Sequence, residues 1–308
     1  MKIEKNGRGK EYYDNDRIQF EGEYLYGKRW NGKGYDYNGN EIYEIKNGKG
    51  NVKEYDYYVK LIYEGEYVND EKNGRGKKYW NGRLEYEGNS YNGKIFGYIK
   101  EYDVFKGKLL YEGEYLDGKL EGKGKEYYEN GNLKFMGEFS KGKRNGKGRE
   151  YHEKCKLKFE GVYLNGKRNG KGKLFDENGL LIFEGEYMDD LRNGKGKEYY
   201  DNGLLKFEGE YLKGKKLNGF LNYYYYQNGQ FQSKEEYSEY VRKGKLIQYY
   251  ENGNLKFEGE YVDGLKKGKE YYENGNLKFE GQYLNRQKEG EAKEYDSEGK
   301  LIFQGTYF

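Results

Sequence analysis

The chain has 308 residues, with 57 Lys and Arg against 54 Asp and Glu, a net charge of +3, and one cysteine, Cys155. So even a balance gives no global field to draw the chain to nucleic acid or an anionic bilayer, and a single thiol excludes an internal disulfide framework and fits a cytoplasmic, reducing compartment. A mean hydropathy of −1.32 and 36% charged residues would by themselves point to disorder, but 41 Tyr and 15 Phe supply rings that each bury a large area.

The N-terminal MKIEKNGRGKEYY already belongs to a repeating pattern and holds no apolar leader. No later stretch approaches the roughly 20 apolar residues of a spanning helix, so neither secretion nor a transmembrane segment is expected. The glycine of an [FY]-E-G-E-[YF] segment falls at Gly22, Gly65, Gly88, Gly113, Gly137, Gly161, Gly185, Gly209, Gly259, Gly281 and Gly305, mostly about 24 residues apart. Two double gaps enclose degraded copies, Tyr43–Lys46 and Ser233–Tyr240. One array of about thirteen units therefore spans 1–308, with degenerate units near 36–62 and 213–248.

Within a unit, two runs alternate with the period of a strand. Leu133, Phe135, Gly137 and Phe139 point to one side, and Lys134, Met136 and Glu138 to the other. The partner run places Gly122, Gly124, Glu126 and Tyr128 together. A ring on one strand can lie over a glycine on the next because no Cβ intervenes. The absence of proline agrees, since strand interiors need every N–H.

Two kinds of turn link the runs. Asn130-Gly131, Asn178-Gly179, Asn202-Gly203, Asn252-Gly253 and Asn274-Gly275 are expected to form type I′ turns with both residues at positive φ. The second kind is basic, at Lys141–Gly146, Asn165–Gly170 and Asp189–Gly194. Short turns make successive strands antiparallel neighbours. The expected fold is all-β, an elongated single-layer antiparallel meander of about thirteen β-hairpins forming a twisted ribbon.

Tyr111-Glu112-Gly113-Glu114-Tyr115, Gly118, Gly122 and Gly124, and again Phe159-Glu160-Gly161, Tyr163, Gly166, Gly170 and Gly172, resemble the MORN (membrane occupation and recognition nexus) repeat, Y-E-G-x-[WY]-x-x-G-x-x-x-G-x-G. Phe or Tyr stands where many such units have Trp. The run YYENGNLKFEG, intact from Tyr249 to Gly259 and carrying Met136 for Glu at Tyr127–Gly137, is similar to the YwqK-type variant. The resemblance implies an antiparallel ribbon, frequent homodimerisation, and scaffold roles at cytoskeletal or membrane-associated structures, with lipid binding in part of the family.

Catalytic chemistry finds little support in the residues. His152 and Cys155 are three apart, and the sequence offers neither further His or Cys ligands nor Asn/Asp support for such chemistry. Register explains both, because His152 takes the place of Tyr128 and Cys155 that of Gly131. A distorted turn is expected at Lys154–Lys156, since Cys tolerates positive φ poorly. The acidic residues alternate with lysine, as cross-strand ion pairs on a solvated face require. No enzyme activity, cofactor or metal is expected.

Binding is the better expectation. Lys143, Arg144, Lys147, Lys167, Arg168, Lys171, Arg192 and Lys195 would line one edge as a basic comb able to meet phosphoinositide headgroups, an acidic polymer or the acidic turn edge of another copy. Solubilising turns without a ligand are the plain alternative. Tyr223, Tyr224, Tyr225 and Tyr226 form either an aromatic partner site or an eroded repeat. Open strand edges at both ends would favour self-association. The function expected is a non-enzymatic intracellular scaffold that binds proteins and itself. The alternatives are a peripheral module on acidic phospholipid and an antitoxin-like protein that masks its partner.

Overall fold

The computed structural model describes residues 5–224 and 229–308, and no helix occurs among them. The chain forms the expected all-β meander of hairpins. It divides into two compact units, Met1–Leu157 with Tyr163–Gly166, and Lys158–Val162 with Lys167–Phe308.

In the first unit, β1 (Gly7–Tyr12), β2 (Ile18–Leu25), β3 (Lys28–Tyr35) and β4 (Glu41–Ile45) make a four-stranded sheet. An isolated bridge, Lys46 to Lys49, follows it. The meander resumes with β5 (Lys49–Tyr55), β6 (Leu61–Val68), β7 (Glu71–Trp80), β8 (Arg83–Tyr91) and β9 (Lys94–Tyr102). It continues through β10 (Leu109–Leu116), β11 (Lys119–Tyr127), β12 (Leu133–Ser140) and β13 (Lys143–Tyr151). The division between the units runs through β14 (Leu157–Leu164).

The second unit holds β15 (Lys167–Phe175), β16 (Leu181–Met188), β17 (Leu191–Tyr199), β18 (Leu205–Leu212), β19 (Lys215–Tyr224) and β20 (Phe231–Ser238). After these come β21 (Val241–Tyr249), β22 (Leu255–Val262), β23 (Leu265–Tyr271), β24 (Leu277–Leu284), β25 (Gln287–Tyr295) and β26 (Leu301–Tyr307). Both degraded copies remain strands, β4 and β20. The sheet is not closed, and β25 is the one partner of β26 among the described residues.

Glycine pairs with glycine along the ladders, as in Gly113–Gly124–Gly137–Gly148 and Gly172–Gly185–Gly196–Gly209–Gly219. The rings lie on this row, as the sequence pattern predicts. A Cβ on Gly148 would stand 2.3 Å from Cζ of Phe135, and one on Gly196 would stand 2.5 Å from Cζ of Phe183. Phe135, Phe159, Phe183 and Phe207 are fully buried. Successive rings meet edge to face, with Phe135 at 5.4 Å from Phe139 and 5.1 Å from Tyr163, the geometry that the ring quadrupole favours.

The turns correct the expectation. Paired positive φ belongs to the other class of turn, as in Asp117 (48°) with Gly118 (79°), Lys141 (51°) with Gly142 (77°) and Asn165 (52°) with Gly166 (90°). These are two-residue hairpins, so Lys143 and Arg144 already lie in β13 and not in a long basic loop. In the Tyr128–Asn132 turn, Gly131 has φ 86° while Asn130 is not at positive φ. There the Gly131 N–H donates to Tyr128 O and the Tyr128 N–H to Asn132 O. This is a type I turn closed by a left-handed glycine, and it suits a longer connection than type I′ spans.

Cys155 keeps the same geometry, with φ 64° and its N–H donating 2.9 Å to His152 O. The distortion expected at Lys154–Lys156 is absent because the ladder on both sides fixes the turn. The strain sits in the dihedral angle instead. Val59 occupies the equivalent place at φ 62°, where a β-branched side chain is disfavoured by about 1–2 kcal/mol. Val59→Gly and Cys155→Gly should each stabilise the chain by about 1 kcal/mol, read as higher urea midpoints. Unchanged or lower midpoints would show that these turns relax freely.

Candidate functional site

The second residue of each basic strand bends back over the ring row. Arg144 lies 4.2 Å from the Phe135 centroid, Arg168 4.5 Å from Phe159, Arg192 4.3 Å from Phe183, and Lys72 4.3 Å from Tyr63. Desolvated cations over ring faces gain about 1–2 kcal/mol each. A carboxylate two strands earlier anchors several of these lids. Arg144 on β13 grips Glu126 on β11 through Nε (2.9 Å) and Nη2 (2.7 Å), Lys216 on β19 meets Glu198 on β17 at 3.2 Å, and Lys72 on β7 meets Glu54 on β5 at 3.0 Å.

The same carboxylates take a second cation from the strand between. Lys134 lies 3.9 Å from Glu126 and Lys206 2.9 Å from Glu198. Carboxylates at this ladder position also accept tyrosine hydroxyls, as Glu198 does from Tyr211 at 3.1 Å and Glu101 from Tyr115 at 2.7 Å. Burial alone would raise the Glu198 pKa, but Lys206 and Lys216 outweigh it and hold the carboxyl down to about 2. Burial, with help from Glu101, pushes the Tyr115 hydroxyl well above the usual phenol range. The ring face is thus closed by paired charges and is not an open apolar surface.

The expected basic comb is divided by this arrangement. Arg144, Arg168 and Arg192 lie over rings, because a guanidinium one residue into the strand shares the face of Gly148 and its counterparts. Lys143, Lys147, Lys167, Lys171 and Lys195 remain exposed, with Lys167 at 3.7 Å from Asp189. Of the tyrosine run, Tyr223 accepts a hydrogen bond from Arg242 Nη2 at 2.9 Å. Tyr224 packs edge-on against Tyr200 (6.1 Å) and Phe231 (5.7 Å). Tyr225 and Tyr226 lie outside the described residues. Among the described residues, no cluster of His, Cys, Asp and Glu is suited to a metal ion.

A different aromatic group stands free, and sequence reasoning passed over it. Tyr57 and Tyr58 (71% and 76% exposed) lie in the β5–β6 turn, Trp80 (50%) ends β7 at the β7–β8 turn, and Phe105 (71%) lies in the β9–β10 turn. Alternate turns of a meander share one edge. Trp80 and Phe105 touch edge-on at 5.5 Å, and Arg83 Nη1 donates to Phe105 O at 3.0 Å, bracing the turn. The signal was present in the sequence, since Tyr57-Tyr58-Val59-Lys60 stands where Glu129-Asn130-Gly131-Asn132 stands, and Val104-Phe105-Lys106-Gly107 follows Asp103 in the same kind of turn.

Similarity to known proteins agrees with this architecture. The family described as MORN repeat matches residues 63–82, 111–133, 135–153, 159–180 and 183–204. The MORN repeat variant matches 242–263, 266–285 and 288–308. No curated protein matches the chain. Solved structures similar to it include TcdB2-TccC3-TEV (11% identity, TM-score 0.22, 93% of this chain and 17% of that one) and TcdB2-TccC3 (11%, 0.22, 97% and 18%). The Photorhabdus luminescens Tc holotoxin pore is another (12%, 0.20, 96% and 18%). The chain spans less than a fifth of those chains, and likeness at that level carries no inference. Eight matched repeats, tiling both units with the ring and glycine register described above, make this chain a member of the MORN-repeat family.

Proposed function

We propose that the chain is a non-enzymatic scaffold whose protein partners dock on the turn edge carrying Tyr57, Tyr58, Trp80 and Phe105. MORN repeats are generally protein- or membrane-interaction modules, and this edge supports the protein reading. Trp and Tyr dominate interface hot spots, and four large rings held in water on braced turns cost solvation energy that a partner would recover. Self-association is part of the reading, with a second copy among the partners that this aromatic edge would take. The five exposed lysines favour acidic phospholipid as the second reading.

A photo-crosslinking amino acid placed at Trp80 or Phe105 in the full chain separates the two readings. Discrete protein adducts, including or excluding a second copy, are expected there and not from the same probe at Lys171. Vesicle co-sedimentation that survives Trp80→Ala with Phe105→Ala but is lost when Lys143, Lys147, Lys167, Lys171 and Lys195 become Glu would replace the protein reading with the lipid one.

A further inference from the structure

The Lys266 lid rests on an uncharged partner. Lys266 on β23 is the counterpart of Arg144 and Lys216, and Lys256 on β22 is the counterpart of Lys134 and Lys206. In the other two sites both cations converge on one carboxylate, Glu126 or Glu198. Here that position on β21 is Gln248, which accepts a hydrogen bond from Lys266 Nζ at 2.9 Å and brings no charge. Among the described residues, neither Lys256 nor Lys266 makes an ion pair. The two cations therefore converge on a neutral amide where the Glu126 and Glu198 sites place a negative charge.

Space accompanies the missing charge. A cavity of about 380 Å³ is lined by Gln248, Lys256, Phe257, Lys266, Tyr283 and Arg286, together with Tyr261, Gly264, Glu270 and Asn285. Lys266 is half-buried, with Nζ 3.8 Å from the Phe257 centroid and 5.8 Å from that of Tyr283. Glu270 is the one carboxylate on this wall, and both its oxygens are taken, one by Lys278 at 2.9 Å and the other by the Tyr283 hydroxyl at 2.6 Å. The nearby Glu235 is paired with Arg242 at 3.0 Å. Burial pulls the Lys266 ammonium below the usual lysine range, and Lys256 adds to this while Glu270 and Glu235 act against it. Its charge is therefore undercompensated.

We propose that this cavity binds a phosphomonoester, whose oxyanion takes the position of the missing carboxylate between Lys256 and Lys266, with Arg286 at the rim. Two ammonium groups and a guanidinium suit a dianion better than a single carboxylate. Phe257, Tyr261 and Tyr283 give the rest of the ligand an aromatic wall.

Gln248→Glu is the decisive variant, because it restores the internal carboxylate without enlarging the side chain. Inorganic phosphate is titrated into the full chain by calorimetry at constant ionic strength, with chloride as the reference. Saturable binding is expected in the wild type. Gln248→Glu should weaken it about tenfold or more while raising the melting temperature, and Lys266→Met should also weaken it. Co-sedimentation with vesicles containing phosphatidic acid, sensitive to Gln248→Glu, would place the phosphate on a lipid headgroup. Its absence, with phosphate binding retained, would leave a soluble ligand as the source. No saturable phosphate binding in the wild type, or equal binding by Gln248→Glu, overturns the proposal.

Discussion

Gly148→Leu is expected to destabilise the first unit by about 3 kcal/mol, toward the upper end of overpacking effects, because its Cβ alone would stand 2.3 Å from Phe135 Cζ. Phe135→Ser should cost about 3–5 kcal/mol, as large-to-small core changes do. The double variant should be more stable than the sum of the two predicts, by about 2 kcal/mol. The chain has made this exchange once already. On β20, Ser233 stands where Phe135 stands on β12, and on β21, Leu246 stands where Gly148 stands on β13. Leu246 is fully buried and Ser233 nearly so, so the leucine fills the volume that the ring left. Hydrogen exchange across β12 and β13 reads the effect locally, since repeat units need not unfold together. Strict additivity of the two single effects would refute the exchange.

Glu198→Gln is expected to remove about 3 kcal/mol at neutral pH. The carboxyl sits at about 2 against an ordinary value of 4.5, and its side chain is 14% exposed, so solvent screens it little. A carboxyl with a depressed folded pKa stabilises the fold above its unfolded value, and that contribution disappears as pH falls from 4.5 towards 2. The wild-type urea midpoint should therefore drop over this interval, while the Gln variant starts lower and changes less, the two meeting near pH 2. Exposed Glu177→Gln serves as the control. Parallel curves for wild type and Glu198→Gln would remove Glu198 from the acid response.

Much of the fold could be read from the sequence because its signals are local and repeated. Phe135, Gly137 and Gly148 declare the strand period, the buried face and the ring-on-glycine contact at once. The turn type could not be read from Asn130-Gly131 alone, because the same dipeptide serves both hairpin classes. Connection length decides between them, and the Tyr128 to Asn132 hydrogen bonds show it. Arg144 sits beside the Lys141-Gly142 turn, and only strand parity tells which way it points. Counted from Gly148, it falls on the ring face. Trp80 and Phe105 do not stand out in the sequence as Tyr223–Tyr226 do, because their importance depends on three turns sharing one edge, a relation that pairing register creates and adjacency in sequence does not.

The lids that reach two strands away set how this sheet answers mechanical load. Peeling β13 from β12 must also draw Arg144 off Glu126 on β11, and peeling β19 from β18 must draw Lys216 off Glu198 on β17. Tyr128 adds a tether, its hydroxyl donating to Tyr151 O across the next hairpin at 2.7 Å. A pulled end therefore cannot shed one strand at a time as a simple zipper would. Rupture should proceed in steps of at least a hairpin, so the coupling in this array extends beyond nearest neighbours.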